Sequence, residues 1–200
     1  GVTIGESNLG EVTFDANAVD EKVNARLVVG FNGNPQTIDA VVDISKKAFP
    51  IQASTVLNNS PLDPLLAFIP QLKGFPISGS GSGKISVTGE LIPQGPDGKP
   101  IDGPPIIRGR AEFSALDILV QDTRLVASEP VLFNFDARQL DIEKALFAGG
   151  GSNVRISGTK AFADDANNDL AIDGRVSLNL LNLLTKDTFF AGLADVAIRL

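Results

Sequence analysis

Apolar and polar residues alternate with a period of two through most of this 200-residue chain. That period restricts the fold more than any other feature, because a strand puts successive side chains on opposite faces of a sheet. In QTIDAVVDIS (36–45), Ile38, Ala40, Val42 and Ile44 fall on one face, and Thr37, Asp39, Asp43 and Ser45 on the other. GKISVTGEL (83–91) repeats the phase with Ile85, Val87 and Leu91, and RGRAEFSA (108–115) with Ala111, Phe113 and Ala115. PVLFNFDA (130–137) carries Val131, Phe133 and Phe135; QLDIE (139–143) carries Leu140 and Ile142; NVRISG (153–158) carries Val154 and Ile156. DLAIDGRV (169–176) adds Leu170, Ile172 and Val176, and GLADVAIRL (192–200) adds Ala194, Val196, Ile198 and Leu200. Strands with one oily and one wet face, broken by Asp, Gly, Asn and Pro, pair antiparallel. The expected fold class is all-β.

Composition then removes most chemistry. Cysteine, methionine, histidine, tryptophan and tyrosine are all absent, which excludes thiol nucleophiles, Cys/His zinc sites and any mechanism that needs a histidine base. The chain is therefore expected not to be an enzyme and to carry no cofactor. Seventeen basic against 24 acidic residues give a net charge of −7, with no basic run longer than Lys46-Lys47, so nucleic acid is not an expected partner. The longest apolar stretches, such as LLAFI at 65–69, fall far short of the ~20 residues of a membrane-spanning helix. The chain opens on Gly1 without a signal-peptide pattern and stops at Leu200 inside an alternating run, as expected of a piece of a longer protein that does not itself cross a membrane. Lack of cysteine also suits an oxidising envelope.

Two segments break the alternation and predict short helices. In SPLDPLLAFIPQLKG (60–74), Ser60 caps, Pro61 takes the first helical position, and Leu62, Leu65, Leu66 and Ile69 recur at helical spacing. In SLNLLNLLTKD (177–187), Ser177 caps a stripe of Leu180, Leu181 and Leu184. Aligning Leu66 with Leu181 gives a spacing of 181 − 66 = 115 residues. This reads the chain as one elongated domain of two imperfect repeats, about 25–92 and 107–200. Between them PQGPDGKPIDGPP (93–105), with five prolines and three glycines, predicts an inserted loop.

Three polar constellations invite chemistry and fail on spacing. GSGSGK (79–84) has Ser78 where a phosphate loop needs its first Gly, and Ile85 where it needs Ser or Thr; flexible glycines at a strand start explain it. DDANND (164–169) places Asp165, Asn167 and Asp169 as a calcium loop would, but Leu170 and Val176 stand where Gly and Glu belong. Asp117, Asp136 and Asp141 sit on polar faces without a surrounding motif.

What remains is the apolar face. Gly89, Gly109, Ala111, Gly158, Gly174 and Gly192 are interspersed among its larger side chains, a mixture that permits curvature and fills space poorly. The aromatic content is twelve Phe and nothing else, which disfavours a membrane barrel with Trp/Tyr girdles. A curved open β-groove with an oily concave face is the expected form. Its candidate ligand-contacting residues are Ile85, Val87, Phe113, Val131, Phe133, Phe135, Leu140, Ile142, Val154, Ile156, Leu170, Ile172, Val196 and Ile198. On this reading a charge at Phe133 or Ile156 leaves the chain folded and repels the ligand. The bland alternative is an ordinary sandwich core.

Residues 60–91, EPVLFNFDARQLDIEKALFAGGGSNVRISGTKAF (129–162) and LAIDGRVSLNLLNLL (170–184) resemble the C-terminal region of TamB-type translocation and assembly module proteins, relatives of the AsmA-like group. Leu140, Ile142, Phe147, Gly149 to Gly151, Val154, Ile156, Gly158, Thr159, Gly174, Leu178 and Leu180-Leu181 stand at matching places. The resemblance covers about 25–92 and 107–200; the first twenty residues and 93–105 match nothing in it. It implies a periplasmic half-pipe of β-strands in an inner-membrane-anchored protein. It further implies a groove associated with moving phospholipid toward the outer membrane, and a partner barrel of the BamA type in outer-membrane protein assembly. The competing readings are a scaffold that pairs with strands of nascent outer-membrane proteins and a purely structural β-repeat.

Overall fold

Alternation becomes ladder pairing along almost the whole chain. A computed structural model describes residues 2–4, 7–31, 34–62, 77–120, 123–162, 168–178 and 191–199. The strands are β1 (Val2–Ile4), β2 (Ser7–Gly10), β3 (Val12–Val19), β4 (Lys22–Phe31), β5 (Asn34–Asp43), β6 (Pro50–Pro61) and β7 (Ile77–Glu90). They continue with β8 (Ile106–Val120), β9 (Thr123–Ala127), β10 (Val131–Asp136), β11 (Gln139–Gly149), β12 (Ser152–Ala161), β13 (Asp169–Ser177) and β14 (Leu193–Arg199). β1 and β2 form a separate hairpin, and β3 to β14 form a single 12-stranded antiparallel sheet. Its order is that of the chain: each strand lies beside its sequence neighbour, with β9 and β10 placed end to end between β8 and β11. β3 and β14 are its edges.

Tight connections set the register. Asp20 and Glu21 both take positive φ, 49° and 60°, between the paired Val19 and Lys22, the two-residue geometry whose twist matches antiparallel strands. The 93–105 insertion joins adjacent strands as a loop, with one bridge pair, Gln94 with Pro100, inside it.

Three strands carry an extra residue, and each extra residue reverses which side chains face inward. In β6 the register shifts between Leu57 and Ser60, opposite Ser82 of β7; in β8 it shifts around Ser114, opposite the same Ser82. In β11 it shifts between Ile142 and Ala145. Asn59 accommodates the first with φ 49°, and its N–H donates to the Ser82 hydroxyl at 2.8 Å. These bulges correct several readings. Ala115 is exposed and Leu116 takes the inward place, whereas Glu143 and Lys144 both face water so that Ala145 and Phe147 turn in. Ile44 lies past the end of β5 and is 45% exposed.

The helix caps are also corrected. Ser60 and Pro61 belong to β6, and the Ser60 hydroxyl oxygen accepts from Gln36 Nε2 and the Asn58 N–H rather than starting a helix. Ser177 closes β13, with its N–H donated to Ser152 Oγ at 2.8 Å. Leu65, Leu66, Ile69, Leu180, Leu181 and Leu184 lie outside the described residues, as do Asp165 and Asn167. β7 already begins at Ile77, so Gly79, Gly81 and Gly83 are within a strand, not before one.

The core sits on one face of β6 to β11. Val131 has no exposed surface, Ala145 is 1% exposed, and with them are buried Leu57, Leu62, Ala111, Phe113, Leu116, Leu125, Ile142 and Phe147. The Phe113 and Phe133 rings meet edge to face, centroids 6.0 Å apart at 77°, a preferred aromatic geometry. Two glycines let this face close. The Phe135 ring lies over Gly109, its cross-strand partner, where any Cβ would strike it. Gly158 takes φ 103°, and a Cβ there would collide with the Asp169 carbonyl of β13.

Candidate functional site on the apolar face

Register turns alternation along strands into rows across them. One row joins Phe14, Leu27, Ile38, Thr55, Ile85, Ala111, Phe133, Ile142, Gly158 and Leu170, crossing ten strands with Thr55 its one polar side chain. On the reverse face the matching row is Asp15, Arg26, Asp39, Ser54, Ser86, Arg110, Asn134, Asp141, Thr159 and Asp169. Across these ten strands the sheet therefore separates an apolar from a polar face.

Next to the apolar row, Ala16, Ala25, Ala40 and Ala53 are cross-strand partners in series. They are bounded on the other side by Ala18, Val23, Val42 and Ile51. At about 4.8 Å between strands, the four methyls line a shallow trough roughly 14 Å long that runs across the strands.

All fourteen candidate residues lie on this face. Phe113, Val131 and Ile142 are inside the buried cluster, and Ile85, Phe133, Phe135, Leu140, Ile156 and Leu170 pack against it half-buried. Val154 is buried outside that cluster, Val87, Ile172 and Val196 are half-buried, and Ile198 is 42% exposed. The face is thus sealed by its own packing at the centre and open at its flanks, where Phe14 on β3 is 66% exposed. Sequence alternation missed Leu57, Leu62, Leu116, Leu125 and Ala145 as core members. The available signal was the change of hydrophobic phase within one run, from Ala111 and Phe113 to Leu116, Ile118 and Val120.

The polar face is held by ion pairs. Arg110 donates to Glu112 at 2.7 Å and to Glu143 at 3.2 Å, and Arg26 to Asp39 at 2.7 Å. Asp117 receives the Arg124 guanidinium, Asp136 accepts the N–H groups of Arg138 and Gln139, and Asp141 accepts the Thr159 hydroxyl. Asp117, Asp136 and Asp141 thus each have a structural partner. Two open recesses of about 460 and 690 Å³ are lined largely by this charged side, the first by Asp15, Arg26 and Asp39, the second by Arg155, Asp173, Arg175 and Asp195.

Arg124 holds the Asp117 carboxyl below the ordinary carboxylate range, against a smaller opposing effect of burial. The Ser45 hydroxyl does the same for Asp43, helped by the Ser45 N–H and Lys46. A lowered folded pKa stabilises above the ordinary Asp value of about 3.9 and loses that contribution as pH falls through the folded value. With no histidine and no cysteine, no side chain with an ordinary pKa titrates between about pH 5.5 and 8. Tm is accordingly expected to be flat across that range and to fall below about pH 4, with part of the acid loss removed in Asp117→Asn. A sigmoidal Tm change centred near pH 6.5 would contradict this assignment.

Among the described residues no helix is long and apolar enough to cross a membrane. Compared with known proteins, the chain matches no family model, no curated protein and no solved structure.

Proposed function

We propose that the sheet is an open half-pipe whose apolar face takes acyl chains. On this reading it is a non-catalytic periplasmic segment of an inner-membrane-anchored, TamB-type protein that passes phospholipid toward the outer membrane. The observation that carries the reading is the apolar row across ten strands, exposed at Phe14 where it leaves the buried centre, with Ile198 exposed on the same face at the other edge. Apolar surface of that continuity is rare on a monomer unless something covers it. The alanine trough supports the same reading: its direction follows the long axis of the sheet, so a chain lying in it touches several strands at once. Burial supplies about 0.8 kcal/mol per methylene, and with no polar clamp along the trough such a chain can slide.

The test is to extract the purified protein with organic solvent, identify copurifying lipid by mass spectrometry, and titrate a fluorescent phospholipid. Ala40→Glu places a carboxylate in the trough at a half-buried position. It is expected to lower lipid affinity at least tenfold with Tm nearly unchanged. Absence of copurifying lipid together with no titratable binding would end this reading. Among the described residues β3 and β14 are the edges of the sheet, which favours a second reading, in which a strand of a nascent outer-membrane protein extends the sheet and a BamA-type barrel receives it.

A further inference from the structure

We infer that Gln36, Thr55 and Ser60 form a polar seat within the apolar face, and that it selects acyl chains carrying a hydroxyl group. The inference rests on the proposal that this face takes acyl chains. Among the residues of β3 to β8 whose side chains are described, these three are the only polar ones on the apolar side; every other such position there is aliphatic, phenylalanine, alanine or glycine.

Gln36 is 8% exposed and Ser60 1%. Gln36 Nε2 donates to Ser60 Oγ at 2.8 Å, and the same oxygen accepts the Asn58 N–H at 3.1 Å, so Ser60 fixes the amide in place. The other end of the amide has no partner: Gln36 Oε1 is buried without a hydrogen bond, and so is Thr55 Oγ1. Buried polar atoms are nearly always satisfied, which makes two orphans on one oily face informative.

The register places them together. Thr55 pairs with Ile38, so Gln36, two residues before Ile38, is its diagonal neighbour on the same face, about 7–8 Å away. A single hydroxyl between them would donate to Gln36 Oε1 and accept from the Thr55 hydroxyl, satisfying both. An ester carbonyl only accepts, and would leave Gln36 Oε1 unpaired. A charged group is disfavoured, because no counter-ion stands on this face between β3 and β8.

The probes are 3-hydroxytetradecanoate and tetradecanoate, each competing with a fluorescent fatty acid on the full chain. The wild type is expected to bind the hydroxylated chain about tenfold more tightly. Thr55→Val keeps the shape without the hydroxyl and Gln36→Leu removes the amide; each is expected to bring the two probes within about twofold, with the plain chain bound as well as before or better. Should Gln36→Leu fold poorly by circular dichroism, Thr55→Val carries the comparison alone. Equal binding of both probes by the wild type would overturn the seat and leave the acyl-chain reading standing, as an interior water between the two groups would produce. Discrimination that survives Thr55→Val would also overturn it. If neither probe binds, the acyl-chain reading falls and the seat with it.

Discussion

Val131→Asp is expected to unfold the protein, whereas Ile198→Asp is expected to leave it folded with nearly wild-type stability. Val131 has no exposed surface and lies in the cluster with Phe113, Ile142 and Phe147. A carboxylate there is buried without a partner at a cost of several kcal/mol, comparable with the 5–15 kcal/mol that holds an ordinary domain together. Ile198 is on the same face but on the edge strand, 42% exposed, where a charge stays in water and costs within about 0.5 kcal/mol. Far-UV circular dichroism and a urea midpoint separate the two. A wild-type midpoint for Val131→Asp would mean that the centre of the face is open to water. The same argument revises the expectation for Phe133→Asp and Ile156→Lys: both side chains pack against the buried cluster, so charge at either is now expected to cost stability before it repels any ligand.

Gly158→Val is expected to destabilise by about 2–4 kcal/mol, which for a chain of this size lowers Tm by roughly 10 °C. Two separate effects add. The φ of 103° is one that a β-branched residue rarely adopts, and the new Cβ would meet the Asp169 carbonyl of the neighbouring strand. Gly98→Ala isolates the first effect, since Gly98 has φ 67° and no atom within 4 Å of the added carbon; it is expected to cost about 1 kcal/mol. Equal losses for the two variants would show that β12 and β13 yield to the intruding side chain.

The face composition was legible because the side-chain period of a strand is so regular: once Ile85 is placed inward, Val87 must follow. Alternation does not report an inserted residue, and three insertions decide where the core lies. Without the bulge at Ser114, Leu116 would face water; without the one at Glu143 and Lys144, Ala145 and Phe147 would. The β3–β4 hairpin is hard to read from sequence although Val12, Phe14, Ala16 and Ala18 alternate well, because its Asp20-Glu21 turn lacks the glycine or asparagine that usually supplies positive φ. The polar seat was illegible for a different reason. Gln36, Thr55 and Ser60 look like the polar half of an alternating pattern or a helix cap until register and the β6 bulge bring all three to the oily side.

The strict chain-order pairing of the sheet has a consequence for how such a molecule grows. Because the interfaces join consecutive strands, save where β9 and β10 share the place between β8 and β11, adding or losing a hairpin at an edge leaves the remaining interfaces untouched. Stability then accrues strand by strand, as in arrays of stacked units. The length of the sheet is therefore a quantity evolution can adjust one hairpin at a time, without repacking a closed core.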